Sequence, residues 1–168
     1  MKKLAAIAGV GLLIAVSAAP RLSADENTPS TADFIREAAI SDMFEIEAGK
    51  LAEQKGDAAA KAFGSQMITD HQKTTDQLKS LIQSTNIGVT PPAALDATHQ
   101  KMLDKLKDES GSNFTKDYRE GQVTAHKVAI TLFVSYAKGG DNPELKSWAA
   151  KTLPLLEQHL QMAEALPD

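Results

Sequence analysis

The sequence predicts an all-α fold: a four-helix bundle with a short extra helix in the long connection between the second and third long helices. Three observations carry this. Apolar residues recur at steps of three and four, no segment alternates as a strand would, and strong breakers divide the chain into stretches of helical length. No period of the solenoid kind is present.

The elements follow in order. Lys2 and Lys3 precede an uncharged apolar run, Leu4 to Ala19, and Pro20 ends it. Leu22-Ser23-Ala24 places small residues just before the acidic pair Asp25-Glu26, so residues 1–24 read as a signal peptide. The run is short for a membrane span of about 20 residues, and no Cys follows it to carry a lipid, so no transmembrane anchor is expected after cleavage. Residues 25–31 are a flexible leader and residues 32–167 the bundle domain. Ser30 or Thr31 caps a first helix to about Lys55, and Gly56 ends it. Asp57 caps a second, which runs to about Ser84 and stops at "NIGVTPP". Ala94 to Asp108 forms the short helix. Ser112 or Asn113 caps a long one through Lys138, and "GGDNP" restarts the chain with Asn142 as cap and Pro143 at the first helical position. That last helix reaches about Leu166. The tight first and last connections predict antiparallel hairpins. The connection from Asn86 to Gly111 permits either a crossover or an up-and-down bundle.

Composition narrows the chemistry. The chain has 168 residues, no Cys, a net charge of -4 and 5% aromatics. Thiolate chemistry and disulfides are excluded, and a nucleic-acid surface finds no basic stripe to rest on. Loss of the two signal lysines leaves the mature domain more acidic.

Inside this bundle the sequence places polar groups. On the second helix Ala60, Phe63, Met67, His71, Thr74, Leu78 and Leu81 form the buried stripe, with a histidine at its centre. The last helix repeats the pattern through Trp148, Thr152, Leu155, His159 and Met162. On the fourth, Tyr118, Gln122, His126, Ile130 and Phe133 share a face. At 1.5 Å per residue His71 lies about 21 Å into its helix, and parallel packing puts His126 at the same level. His159 and His126 differ in height by about 5 Å, and Glu45 lies some 6 Å from the level of His71. Glu47 is worse placed by depth, but the bulky Ile40, Met43, Phe44 and Leu51 favour its side, so the first helix leaves the choice open. His99 also follows its helix's stripe, but that helix is short and peripheral.

His71, His126, His159 and one carboxylate, Glu45 first, thus form a candidate metal site. Imidazole and carboxylate suit zinc, iron or copper, one ion to the site. Asp70, Tyr118 and Glu157 are candidate acceptors for the ring N–H groups. No catalytic residue is assigned. The competing reading is a non-catalytic structural or interaction domain whose buried histidine network only fixes helix register. Partner and oligomeric state are left open. Pro154 should kink the last helix just before His159.

The segments "DMFEIEAGKLAEQK", "FGSQMITDHQKTTDQL", "FTKDYREGQVTAHKVAITLF" and "TLPLLEQHLQMA", in this order, resemble the exported bacterial domain-of-unknown-function family 4142. The resemblance spans Asp33 to Leu166. It implies a ferritin-like bundle, a periplasmic address with secretion or outer-membrane association as variants, and motif positions at Glu45, Asp70, His71, Tyr118, His126 and His159. The family has no established reaction, so a function of metal handling or envelope stress rests on the residues. Ferritin's Glu-x-x-His is absent: Glu157 and His159 are two apart, about 200° around a helix. A dinuclear ferroxidase centre or iron-storage cage is therefore not expected.

Overall fold

The computed structural model describes residues 28–167, so the signal-peptide reading of residues 1–24 lies outside the described residues. Five helices and no strand occur among them: α1 (Thr31–Lys55), α2 (Ala58–Ser84), α3 (Ala97–Asp108), α4 (Gly111–Gly139) and α5 (Pro143–Glu164). None is long and apolar enough to cross a membrane. Side-chain caps start most of them. Ser30 Oγ accepts from the Asp33 amide at 3.1 Å, Asp57 Oδ1 from Ala60 at 2.8 Å, and Asn142 Oδ1 from Leu145 at 2.9 Å.

Three boundaries differ from expectation. The short helix starts at Ala97, because Asp96 Oδ1 accepts from the His99 amide at 2.8 Å and fixes the start there. α4 starts at Gly111, whose φ of 58° suits a residue without Cβ, and Ser110 makes no side-chain cap bond. α5 closes at Glu164, two residues early.

Two apolar clusters fix the helix directions. One joins the N-terminal half of α1 (Phe34, Ile35) to Leu78 near the end of α2, Phe133 and Tyr136 near the end of α4, and Leu145 and Trp148 at the start of α5. The other joins Phe44 and Ala52 of α1 to Phe63 of α2, Phe114 and Tyr118 of α4, and Ala163 of α5. α2 and α4 therefore run parallel, and both oppose α1 and α5. The connection between them must travel the full length of the bundle, so the crossover is the topology adopted. On its way α3 seats Leu103 and Leu106 in the second cluster against α1 and α4.

α1 and α2 meet very closely at Gly49 and Gly64. A Cβ on Gly49 would lie 2.8 Å from the Gly64 carbonyl oxygen, and one on Gly64 would lie 2.8 Å from that of Gly49. Only glycine lets these backbones touch, and the contact sets the spacing at which Asp42 meets His71 about two turns away.

α5 continues through Pro154, an exposed position. Pro154 lacks an amide hydrogen, and nearby the Thr152 hydroxyl bonds the Trp148 carbonyl at 2.9 Å. Pro154→Ala is expected to stabilise the metal-free protein by about 1–3 kcal/mol. If Pro154 helps to aim His159, the same change weakens metal binding. Urea denaturation and metal titration on one pair of proteins measure both; unchanged affinity would deny Pro154 that role.

Candidate metal centre

Between the two apolar clusters lies a polar layer. Asp42 and Glu45 on α1, His71 and Thr74 on α2, Gln122 and His126 on α4, and Thr152 and His159 on α5 are all buried. Such a layer interrupts the core at mid-bundle, where apolar packing would otherwise be continuous.

The three histidine rings converge. Their centroids stand 5.8 Å (His71–His126), 5.4 Å (His71–His159) and 5.4 Å (His126–His159) apart. Each ring is held by one nitrogen. His71 Nδ1 meets Asp42 Oδ1 at 2.8 Å, His126 Nδ1 donates to the Gln122 carbonyl at 2.9 Å, and His159 Nε2 meets Asp70 Oδ2 at 3.0 Å. The remaining nitrogens, His71 Nε2, His126 Nε2 and His159 Nδ1, are buried without a hydrogen-bond partner. One ligand nitrogen from each ring lies within 4.8 Å of the others. A ring anchored through one nitrogen by a carboxylate or carbonyl, with the other free, is oriented for ligation.

Electrostatics separate the rings. Burial, with the charge of His71 beside it, lowers His126 to about 4. His159 is also lowered to about 4, by burial first and by the neighbouring histidines, against the pull of Asp70. Burial opposes protonation of His71 too, but its hydrogen bond to Asp42 and the charges of Asp42, Glu45 and Asp70 outweigh it and raise its pKa. Two of the imidazoles are thus held neutral, the form that binds metal.

The sequence candidates fare differently. Glu45 is buried in the layer, 1% exposed, whereas Glu47 is exposed and paired with Lys50 at 2.6 Å. Glu45 Oε1 is 3.8 Å from His126 Nδ1, the ring nitrogen already committed to Gln122, so it stands beside the convergent nitrogens and not among them. Asp70 accepts from His159, not from its neighbour His71. Tyr118 is buried, but its hydroxyl has no hydrogen-bond partner, and it precedes His126 by about 12 Å of helix. Glu157 is exposed and takes no part. His99 packs edge-on against Phe44 and bonds Asp96, away from the cluster. Asp42 is the residue that sequence reasoning missed. It accepts from His71 and from Thr74 at 2.9 Å on one oxygen, and from Thr75 at 3.0 Å on the other.

Glu45 gives a prediction that needs no metal. Burial raises its pKa from 4.5 to about 7, against the lowering charge of His71. A group raised on folding contributes stability below its unfolded pKa and loses it as pH rises through the folded value. Relative to Glu45→Gln, the wild-type protein should therefore lose roughly 3 kcal/mol between pH 4.5 and pH 7. Urea melts of both proteins in chelator measure this; a pH-independent difference would show that Glu45 ionises normally.

The domain-of-unknown-function family DUF4142 matches residues 16–166. The chain belongs to that family. No curated protein matches the sequence of this DUF4142 member. Among solved structures, "CopM in the Cu(II)-bound form" has the same fold, with a TM-score of 0.68, covering 82% of this chain and 95% of its own. Its sequence is 16% identical, so the likeness concerns the fold alone.

Proposed function

We propose that this protein is an exported metal-handling bundle. It binds one transition-metal ion, copper before zinc or iron, through His71 Nε2, His126 Nε2 and His159 Nδ1. One observation carries the reading: three buried imidazole nitrogens on three helices face one another with no other partner. Leaving a polar group buried and unpaired costs about 1–3 kcal/mol. A network that existed only to fix helix register would pair its own members, as Asp42, Thr74 and Thr75 do, and would not leave three acceptors pointing at one spot.

The spacing is compatible with an ion. Metal–nitrogen bonds of about 2.0–2.1 Å at tetrahedral angles put nitrogens roughly 3.4 Å apart, and the ligand nitrogens already lie within 4.8 Å of one another, so no pair need close by more than about 1.4 Å. Nitrogen ligands favour copper over other divalent ions of the series, and the Cu(II)-bound neighbour supports testing copper first. The crossover between α2 and α4 supports a ferritin-like classification. The neighbour's title and the apolar run at residues 4–19 support a role in metal handling outside the cytoplasm.

Metal analysis of protein purified from the periplasmic fraction, followed by titration with Cu(II), Zn(II) and Fe(II), tests the assignment. The Cu(II) protein should show hyperfine coupling to three imidazole nitrogens in its electron paramagnetic resonance spectrum. Fewer than three nitrogens, or no metal bound above the level of a His71→Ala control, would leave the structural network as the better reading.

A further inference from the structure

Beside the histidines, on the α1–α4 side, lies a second set of buried polar atoms that the metal site does not use. Both carboxyl oxygens of Glu45, both amide atoms of Gln122 and the hydroxyl of Tyr118 have no hydrogen-bond partner among protein groups. Their residues are 1%, 0% and 0% exposed. Glu45 and Gln122 are neighbours, with the amide near enough to favour the ionised carboxylate yet outside hydrogen-bond geometry. Tyr118 lies within reach of the charge on Glu45.

We propose that Glu45, Gln122 and Tyr118 enclose a small hydrated chamber, and that a water held there is the fourth ligand of the metal. This rests on the three-histidine reading above and adds what completes its coordination sphere. Three protein nitrogens plus a water is the arrangement of an open metal site, whereas four protein ligands close it. Direct ligation by Glu45 fits the geometry poorly, because its nearest approach to His126 is to Nδ1, the edge of the ring turned to Gln122. The carboxyl, 3.8 Å from His126 Nδ1, borders the cluster without joining the nitrogens that lie within 4.8 Å of one another.

The chemistry of the chamber selects water over a second cation. A buried water takes about two to four hydrogen bonds and needs both donors and acceptors around it. Glu45 supplies acceptors, Tyr118 a hydroxyl that does either, and Gln122 one of each. A hard cation needs an all-oxygen acceptor cage, and the amide N–H and the phenol O–H would face it with the wrong polarity.

The test uses Cu(II)-loaded full domain in water enriched in oxygen-17. Pulsed electron paramagnetic resonance should show a directly bound, exchangeable oxygen beside three imidazole nitrogens, and Glu45→Leu with Gln122→Leu should lose the oxygen and keep the nitrogens. Three nitrogens with no exchangeable oxygen would overturn the proposal in favour of a protein group closing the sphere. Absence of the three-nitrogen signature would instead overturn the metal reading, and with it the fourth-ligand role. The chamber itself is read from crystals of the metal-free protein. Ordered water bridging Glu45, Gln122 and Tyr118 supports it; a direct Glu45–Gln122 hydrogen bond with no water overturns it.

Discussion

Replacing His71 with alanine is expected to abolish the metal-dependent rise in melting temperature and also to destabilise the metal-free protein. The first effect follows from linkage. A metal at a hundred times its dissociation constant stabilises the folded state by about 2.7 kcal/mol, which for a domain of this size is roughly 5–10 °C. Without His71 Nε2 one of three nitrogens is gone, and the rise should vanish. His126→Ala and His159→Ala should abolish it as well, while His99→Ala, whose ring packs on Phe44 and bonds Asp96 away from the cluster, should leave it intact. The second effect ranks the three variants. His71→Ala leaves the carboxylate of Asp42 buried with one donor fewer, and should cost the most, about 2–4 kcal/mol. His126→Ala frees only a backbone carbonyl, and His159→Ala frees Asp70, whose side chain already reaches solvent. Thermal melts with chelator and with added copper, zinc or iron separate the two effects. A purely structural histidine predicts equal losses with and without metal, and no wild-type response to any of the three ions would end the metal hypothesis.

The residues show why some of this was legible and some was not. The stripes of α2, α4 and α5 are built from large apolar side chains, so a histidine among them stands out, and helix rise places the three at one level once α2 and α4 are taken as parallel. The hairpins followed from Gly56 and from "GGDNP". The crossover was ambiguous because a long connection is compatible with either direction of α4; the partners of Phe114 and Phe133 decide it, and those contacts are long-range. α1 misled for a physical reason. Its seam toward the cluster is Ala38, Asp42, Glu45, Gly49 and Ala52, at steps of four, three, four and three. These are small residues and acids, which a search for bulky apolar faces passes over. Its larger residues answer to a second neighbour: α3 packs on α1, and Phe44 is buried there against His99. A helix covered on two sides shows no single stripe. Asp42 was recoverable from the spacing to Glu45 and Gly49, had acids been admitted to the seam.

Asp42→Ala is the prediction in which the missed residue matters most. Three donors converge on this carboxylate: His71 Nδ1, Thr74 Oγ1 and Thr75 Oγ1. Thr74 keeps an alternative in the His71 carbonyl at 3.0 Å, but the His71 ring has none on that nitrogen. Removing one partner of a buried charged pair costs about 3–5 kcal/mol, and loss of a group that orients a metal-binding histidine lowers affinity by about 10–100-fold. Asp42→Asn separates the two contributions. Its side-chain oxygen still accepts from His71 and holds the ring in place, so most of the stability should return. Its neutral charge makes His71 Nε2 a weaker donor to the metal, so affinity should still fall, by about tenfold. Urea denaturation in chelator reads the first quantity, and competitive copper titration reads the second. Should Asp42→Ala unfold more easily yet bind copper as tightly as the wild type, Asp42 would be a packing residue, and His71 would be oriented by something other than its carboxylate.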